Sequence, residues 1–312
     1  MFLEKLILEN IGKKLRGNFL IQNISIGVKD GEIKVILGAS GSGKTTILNI
    51  IAGLIQPDTG RVVIDGRDMT QVRIEDRNLG FVFQDLGLFY SMSVAENIAY
   101  GLRLRKMKIE EINEKVLEIA NRLSISNQLK KYPSNLSGGE KQLVALARTL
   151  VTEPAVILMD EPLSSLDTYL RNNMRWYLRS IRDQFNATIV YVTHDMEDAA
   201  ILGDSIAILD SGRIIQDGPK NEIFSRPRNE TAAKILGYNI FSRGGKKYAI
   251  HPERIVSGGK VKFRVIYAQT GIGYNYLVDT EFGKLYVRTS QPIDGEGGLS
   301  LDYATELEQG DQ

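Results

Sequence analysis

Two hydropathy patterns alternate along the first three quarters of the chain, and together they predict a layered α/β fold. Residues 31–40 form a nearly continuous apolar run that leads into a glycine-rich turn, as a strand buried on both faces does. Residues 155–160 and 187–194 repeat this pattern. Apolar residues at helical spacing follow the first run from residue 44 to 54. This succession predicts parallel strands connected by helices.

A helical stretch and two β-rich ends complete the pattern. Residues 93–128 carry an apolar stripe at helical spacing, and a further helix is expected from residues 137–139 onward. The first 30 residues alternate as short strands. Beyond about residue 237, Gly, Tyr and alternating β-forming residues become frequent. We therefore expect a larger domain at 1–237 and a small all-β domain at 238–312.

Composition excludes several classes of protein. The net charge of +1 gives no general attraction to nucleic acid or anionic lipid. Zero cysteines exclude disulfides, thiol catalysis and Cys-based metal sites. No stretch approaches the ~18 consecutive apolar residues of a membrane-spanning helix. The acidic residue at position 4 and the lack of an apolar core argue against a secretory signal at the start.

The segment GASGSGKT at residues 38–45 fills the phosphate-binding loop (P-loop) pattern G-x-x-x-x-G-K-[ST] between a predicted strand and a predicted helix. Its glycines let backbone N–H groups converge on phosphate oxygens at a helix N-terminus. Lys44 can reach the β- and γ-phosphates, and Thr45 offers a hydroxyl to Mg²⁺. The predicted nucleotide-binding residues here are Gly38, Ser40, Gly41, Ser42, Gly43, Lys44, Thr45 and Thr46.

Asp160 and Glu161 end a buried apolar run, which places their carboxylates at the carboxyl end of a strand. We expect this strand to be the parallel neighbour of the P-loop strand. Asp160 then holds Mg²⁺, and Glu161 polarises the attacking water as the general base. The alternative is that Asp-Glu-Pro only starts a loop.

A second anion-binding segment lies in LSGGE, residues 136–140. Ser137, Gly138 and Gly139 present a hydroxyl and backbone N–H groups at another helix N-terminus. Such a device serves a γ-phosphate only if something brings the phosphate there. Gln84 and His194 each follow an apolar strand, where a lone Gln is usually a surface amide and a lone His usually structural.

In this order, the P-loop, Gln84, LSGGE, Asp160-Glu161, the segment SSLD at 164–167 and His194 resemble the ATP-binding cassette (ABC) transporter family over about residues 1–235. The resemblance implies a RecA-like P-loop NTPase core of α/β class. It also implies an N-terminal antiparallel β subdomain, a helical subdomain at about 88–152 and a small OB-like C-terminal domain.

The resemblance also assigns roles to residues. Gln84 contacts Mg²⁺ and the lytic water, and His194 contacts the γ-phosphate. Asp167 belongs to the D-loop, residues 164–167, which crosses the seam between two copies of the chain. Ser137 to Gly139 complete the ATP site of the partner copy in a head-to-tail homodimer. The expected ligands are ATP and Mg²⁺.

The family's separate importer subunits provide the expected assembly. They bind two membrane permeases, work with an extracellular substrate-binding protein, and lie at the cytoplasmic face of the membrane without nucleic acid. The segment HPERI at 251–255 resembles the maltose and trehalose branch, which favours a sugar as cargo. The alternatives are an importer of an oxyanion (molybdate, tungstate or sulfate), iron or polyamine, and a non-transport ABC ATPase.

The chain departs from the family pattern at several positions, among them Leu143, where the family often has Arg. Leu15 lies where an aromatic residue usually stacks on adenine, with Phe19 nearby. Glu140 replaces a common Gln and could disfavour an approaching polyphosphate. Tyr90-Ser91 replaces a common Pro-His in a groove, formed by Phe89, Tyr90, Met92 and Val94, for the permease's coupling helix.

Overall fold

The computed structural model describes residues 4–15, 18–271 and 273–308. Up to residue 219 the strands are β1 (Glu4–Leu15), β2 (Asn18–Lys29), β3 (Ile33–Leu37), β4 (Thr59–Ile64), β5 (Arg67–Asp68), β6 (Leu79–Val82), β7 (Val156–Asp160), β8 (Ile189–Thr193), β9 (Ser205–Asp210) and β10 (Arg213–Pro219). The helices are α1 (Lys44–Ala52), α2 (Val94–Leu104), α3 (Ile109–Arg122), α4 (Gly138–Leu150), α5 (Thr168–Phe185) and α6 (Met196–Leu202).

A six-stranded central sheet has the order β10-β9-β3-β8-β7-β6. Strand β3 pairs in parallel with β8 and β9, and β7 pairs in parallel with β8 and β6. The predicted direct pairing of β7 with the P-loop strand β3 is wrong, because β8 lies between them. Since all these strands run in one direction, their carboxyl ends still meet at one edge, where sites of such sheets form.

The N-terminal antiparallel β subdomain is a second sheet of order β2-β1-β4-β5. Its alternating apolar residues, such as Leu6, Ile24 and Val62, are buried in one core with the apolar face of α1 and with Val190 of the central sheet. Helix α1 is thus packed between two sheets. This packing fixes the direction in which its first turn, the end of the P-loop, points.

The helical stretch divides into α2, α3 and α4. Helix α3 buries the predicted stripe of Ile112, Val116, Ile119 and Ala120. The fully buried Asn97 of α2 pins the preceding turn: its Nδ2 donates to the carbonyls of Phe89, Met92 and Ser93, and its Oδ1 accepts from the Phe89 N–H. A buried amide with all these partners specifies one conformation of that turn.

The contacts divide the chain into two compact units after Asp217. The second unit contains α7 (Lys220–Ser225), α8 (Glu230–Ile235), β11 (Asn239–Arg243), β12 (Lys246–Ile250), β13 (Val256–Gly271), β14 (Gly273–Thr280), β15 (Gly283–Thr289), β16 (Glu296–Ser300) and β17 (Thr305–Glu306). The β architecture predicted for this part is confirmed, in sheets of order β11-β12-β17 and β15-β14-β13-β16.

The unit boundary precedes the composition shift at residue 237. Helices α7 and α8 belong to the second unit, and side-chain bonds connect them to residues that follow them in that unit. The Tyr238 hydroxyl donates to the carbonyl of Phe224, and Lys247 pairs with Glu230 on α8. The domain limits 1–237 and 238–312, which rest on composition, stay a prediction.

Arg77 anchors the C-terminal end of α1. Its side chain is only 1% exposed, and its guanidinium donates to the carbonyls of Ile50 and Ile51 at 3.0 and 2.7 Å. It also donates to the carbonyls of Thr70 and Val72. Burial lowers the pKa of Arg77, but an arginine stays charged in proteins. The cation therefore stabilises the negative end of the helix dipole.

Replacing Arg77 by Met should lower the free energy of unfolding by about 3 kcal/mol, because buried carbonyl groups lose their donor. Urea unfolding of the wild type and the variant measures the difference. Arg61→Met is the matched control, since Arg61 pairs with Glu9 on the exposed surface and its loss should change little. Equal effects of the two substitutions would contradict the anchoring role of Arg77.

Candidate active site

The P-loop connects the end of β3 to the start of α1, as its sequence predicts. Gly41 and Gly43 adopt left-handed backbone conformations, with φ of 81° and 107°. A Cβ atom on Gly38 would lie 2.3 Å from the carbonyl oxygen of Leu209, so this position has no room for a side chain. The loop is therefore shaped by its glycines, and the first N–H groups of α1 are left free of helical partners.

Lys44 lies in the mouth of this loop and is only 5% exposed. Its ammonium group donates to the carbonyls of Gly38 and Ala39, each at 3.0 Å. It also lies 3.5 Å from Oε1 of Glu161. The hydroxyl of Ser42 is buried and has no hydrogen-bond partner in the described part of the chain. An oxyanion in the loop would satisfy Ser42 and the ammonium together.

Asp160 and Glu161 stand at the carboxyl end of β7, facing the P-loop. The Thr45 hydroxyl donates to Oδ1 of Asp160 at 3.1 Å. Burial raises the pKa of Asp160, although the Thr45 hydrogen bond acts in the opposite direction. Oε2 of Glu161 lies 2.9 Å from Nδ1 of His194, which follows β8 directly. The strand ends thus bring the ammonium of Lys44 and the imidazole of His194 into contact with the Glu161 carboxylate, next to Asp160.

Gln84 follows β6 by two residues and is exposed. Val82 of β6 pairs with Met159 of β7, so Gln84 lies at the same edge of the sheet as Asp160. The structure therefore brings the predicted group Thr45, Gln84, Asp160, Glu161 and His194 to one edge of the sheet. Two direct contacts lie within this group, Thr45 with Asp160 and Glu161 with His194.

The oxygen atoms at this edge fit Mg²⁺. A hydroxyl, an amide and a carboxylate are hard donors, and Mg²⁺ usually takes one or two carboxylates together with substrate phosphates. In the part of the chain that the structure describes, no group of three or more His, Cys, Asp or Glu residues could hold a metal by itself. Mg²⁺ at this edge would take phosphate oxygens of a substrate as further ligands.

The segment at residues 137–139 forms the N-terminus of α4 through a capping box. The Ser137 hydroxyl accepts from the Glu140 N–H at 3.3 Å, while Oε2 of Glu140 accepts from the Ser137 N–H at 2.8 Å. Gln128 donates to the other oxygen of Glu140. The hydrogen bond from the Ser137 backbone lowers the pKa of Glu140. The Glu140 carboxylate therefore interacts with the N-terminus of its own helix.

The D-loop lies against this helix end. A Cβ atom on Gly138 would be 3.1 Å from Cδ2 of Leu166. Asp167 is exposed and caps α5 by accepting from the Leu170 N–H at 3.0 Å. Between residues 137–139 and the P-loop, by contrast, the described residues form no hydrogen bond or ion pair.

Two predicted details need separate treatment. The side chains of Leu15 and Phe19, expected near adenine, lie outside the described residues. The groove predicted for a coupling helix is wrong at Val94, which is fully buried because it starts the packed helix α2. Tyr90 is 60% exposed, whereas Phe89 packs on the ring of Tyr100 at 4.6 Å between centroids.

Arg148 of α4 is a residue that the motifs missed. Its guanidinium donates to the carbonyls of Leu86 and Gly87, just after Gln84, at 2.7 and 2.6 Å. Both of these residues have left-handed backbones, so the turn needs such support. The sequence pattern that could have indicated its role is an arginine four residues after Val144, on the apolar side of a predicted helix.

Comparisons with known proteins agree with this geometry. A family model described as "ABC transporter" matches residues 21–164. The molybdate/tungstate import ATP-binding protein WtpC of Thermococcus kodakarensis is 43% identical over 239 residues, covering 77% of this chain and 72% of its own. The sulfate/thiosulfate import ATP-binding protein CysA of Mesostigma viride is 42% identical over 234 residues, covering 75% and 67%.

Two further matches widen the comparison. The spermidine/putrescine import ATP-binding protein PotA of Haemophilus influenzae is 40% identical over 235 residues, covering 75% of this chain and 63% of its own. The solved structure of cbiO1 from Clostridium perfringens, part of the ABC transporter complex cbiONQ, has a TM-score of 0.67 at 28% identity. It covers 75% of this chain and 94% of cbiO1.

These relatives correct the cargo preference drawn from residues 251–255. Their names refer to oxyanions and polyamines and not to maltose or trehalose. They therefore support the alternative better than the sugar. The structure also contains no helix, among the residues it describes, that is long and apolar enough to cross a membrane.

Replacing Asp160 by Asn should stabilise the protein without nucleotide or metal at neutral and alkaline pH. Burial raises the folded-state pKa of Asp160, so its ionised form costs stability above that pKa. This cost disappears as the pH falls below the unfolded-state value, and the variant's advantage should shrink with it. Thermal melts of both proteins at about pH 8 and about pH 4 measure the change.

Asp58→Asn is the control with the opposite sign. The hydrogen bond from Lys13 lowers the pKa of Asp58, so that carboxylate stabilises the fold above its unfolded pKa and its loss should lower the melting temperature at about pH 8. If Asp160→Asn melted at a lower temperature than the wild type at about pH 8, ionisation of Asp160 would not destabilise the folded state, and the prediction would be wrong.

Proposed function

The chain belongs to the ABC transporter family, whose ATP-binding proteins are ATPases coupled to transport, and we propose that it is the ATP-hydrolysing subunit of an importer. One observation carries the proposal. The ammonium group of Lys44, the carboxylates of Asp160 and Glu161, and the imidazole of His194 converge on a glycine-shaped phosphate loop. That is the set of groups needed to hold and hydrolyse a nucleoside triphosphate.

Each group has a task in the reaction. Lys44 and the N-terminal N–H groups of α1 hold the phosphates, and the hydroxyl of Ser42 gains a partner. Bound by Thr45, Asp160 and Gln84, Mg²⁺ would neutralise charge on the β- and γ-phosphate oxygens. Glu161 accepts the proton of the attacking water. His194 orients Glu161 through the 2.9 Å contact of its Nδ1, and it would contact the γ-phosphate of bound ATP.

The proposed active unit is a head-to-tail homodimer. The N-terminus of α4 at Ser137–Gly139 is a second anion-binding device, and among the described residues it forms no hydrogen bond or ion pair with the P-loop. A two-fold axis would place it on the γ-phosphate held by the partner copy, and the partner's device on this chain's ATP. The capping box supports this arrangement, because it bonds the N–H groups of Ser137 and Glu140 and leaves those of Gly138 and Gly139 without a helical partner.

The proposed assembly includes two permeases and a substrate-binding protein at the cytoplasmic face of a membrane. Closure of two copies on two ATP molecules is a conformational change that docked permeases can follow, and hydrolysis with product release resets it. The exposed Tyr90 and the turn pinned by Asn97 lie between Gln84 and α2. This segment is the proposed contact of the permease.

We propose an oxyanion of the molybdate, tungstate or sulfate type as the cargo, on the strength of the relatives that import such anions. A polyamine is the second candidate, supported by the spermidine/putrescine relative. The test is reconstitution with the permeases encoded beside this chain, followed by uptake of tungstate, sulfate, spermidine and maltose. ATP-dependent uptake of maltose alone would overturn the oxyanion proposal.

Glu161→Gln should lower kcat for ATP hydrolysis by at least about 100-fold, because general-base catalysis is worth 10²–10⁴. The amide keeps the size of the side chain, so ATP binding and dimer formation should persist. Steady-state hydrolysis and gel filtration with MgATP measure the two effects. Glu153→Gln, at an exposed carboxylate paired with Lys115, is the control that should keep full activity. Full activity of Glu161→Gln would exclude Glu161 as the base.

Ser137→Arg should abolish hydrolysis while leaving nucleotide binding by the separate chain intact, since the P-loop is untouched. Ser137→Thr keeps the capping hydroxyl and should remain active. A mixture of Ser137→Arg chains with Lys44→Ala chains should regain part of the activity, because a mixed dimer combines one intact P-loop with one intact α4 N-terminus. Normal hydrolysis by Ser137→Arg alone would overturn the shared-site proposal.

A further inference from the structure

Arg171, in the first turn of α5, connects segments that the motifs treat as separate. Its side chain is partly buried, and its Nε donates to the carbonyl of Leu163 at 3.2 Å. Its Nη2 donates to the carbonyls of Ser164 and Leu166 at 3.1 and 3.2 Å. These three carbonyls belong to the D-loop and the residue before it, and the Leu163 carbonyl also accepts from the Leu166 N–H at 3.2 Å. Arg171 is thus a single side chain that bonds three carbonyls of one turn.

The same guanidinium also reaches the segment that carries His194. Its Nη1 lies 3.2 Å from Oδ2 of Asp195, the next residue after the histidine. The other oxygen of Asp195 accepts from the N–H groups of Glu197 and Asp198 and caps α6. The Asp195 N–H donates to the hydroxyl of Thr193. His194 is thus held between two anchored neighbours.

A buried network of charged and hydroxyl groups holds Asp195 in place. Arg175, one turn further along α5 and 1% exposed, lies 3.0 Å from Oδ2 of Asp195 and 2.6 Å from Oδ1 of Asp198. The other oxygen of Asp198 accepts from the hydroxyls of Tyr191 and Thr193 in β8. Asp195 is therefore held by several groups at once. Arg171 adds a side-chain connection between the D-loop and the His194 segment, beside the backbone pairing of β7 with β8.

The two ends of this connection lead to catalytic groups. The Glu161 carbonyl accepts from the N–H and the hydroxyl of Ser164, so the turn held by Arg171 begins at the proposed base. Glu161 itself has a left-handed backbone, with φ of 43°, which a non-glycine residue keeps only under support. On the other side, Leu166 of the turn lies against Gly138 of the α4 N-terminus.

We propose that Arg171 is a positioning residue for ATP hydrolysis, which fixes the Glu161 turn and the D-loop relative to His194. The inference rests on the proposed ATPase function. A guanidinium suits this role because it is planar and presents five donors in a fixed fork. A lysine at this site offers one compact charge and cannot hold three carbonyls and a carboxylate at set distances.

Arg179 provides a matched control on the same helix. It also donates to two carbonyls, those of Ile201 and Leu202, and pairs with a carboxylate, Asp204, at 3.1 Å. The exposed fraction of its side chain is 30%, close to the 28% of Arg171. Arg179, however, holds the C-terminal end of α6, away from His194 and the D-loop. Both arginines connect α5 to α6, but only Arg171 touches the catalytic segments.

The experiment compares Arg171→Met, Arg171→Lys and Arg179→Met in the full chain. Steady-state hydrolysis gives kcat and KM, nucleotide titration gives ATP affinity, and thermal melts give stability. We expect both Arg171 variants to lose kcat by roughly 10- to 100-fold, as a misplacement of about 1 Å costs. Their ATP affinity should stay at the wild-type value, because Lys44 and the P-loop do not contact Arg171. Arg179→Met should keep kcat within about threefold.

The outcomes separate this inference from the proposed function. If the Arg171 variants lose no more kcat than Arg179→Met at similar loss of stability, or lose kcat and ATP affinity in parallel with stability, Arg171 is only structural. Asp195→Asn combined with Arg171→Met should cost kcat less than the two single effects multiplied, because both break one contact. Multiplicative effects would also overturn the inference. A wild type that hydrolyses no ATP overturns the proposed function itself.

Discussion

The buried ammonium group of Lys44 is the interaction on which the rest of the site depends. A cation that is 5% exposed must have polar partners, and here these are two P-loop carbonyls and the carboxylate of Glu161. These partners come from two different parts of the fold. The carbonyls require the glycine-shaped end of β3, and the carboxylate requires β7 to end at the same level. The packing of α1 between two sheets holds the ammonium between them.

The same requirement explains why supporting side chains surround the site. Arg77 holds the far end of α1, Arg148 holds the turn after Gln84, and Arg171 holds the D-loop. All three donate to backbone carbonyls at helix ends or in turns. A loop that carries catalytic groups has few backbone partners of its own, so its conformation is fixed by donors from neighbouring helices. Arginine supplies several donors in one rigid group.

Much of this protein follows from local sequence. The P-loop, the capping box at Ser137 and Glu140, and the stripe of α3 each depend on residues close together in the chain, so spacing alone predicts them. The position of β8 between β3 and β7 does not follow in this way. The three apolar runs look alike, and their order in the sheet depends on where the connecting helices cross. The burial of Val94 was missed for a similar reason, since a short apolar run does not show which side packs.

The sequence by itself determined which chemical groups are present and which local elements carry them: a lysine in a glycine-rich loop, carboxylates and a histidine after buried strands, and a second helix N-terminus for an anion. Only the tertiary structure decided which groups meet. The 2.9 Å contact between Glu161 and His194 and the four bonds of Arg171 join residues from different strands and helices. Such contacts depend on strand order and on the packing of helices, which are properties of the whole core and are not encoded in any short stretch of the chain.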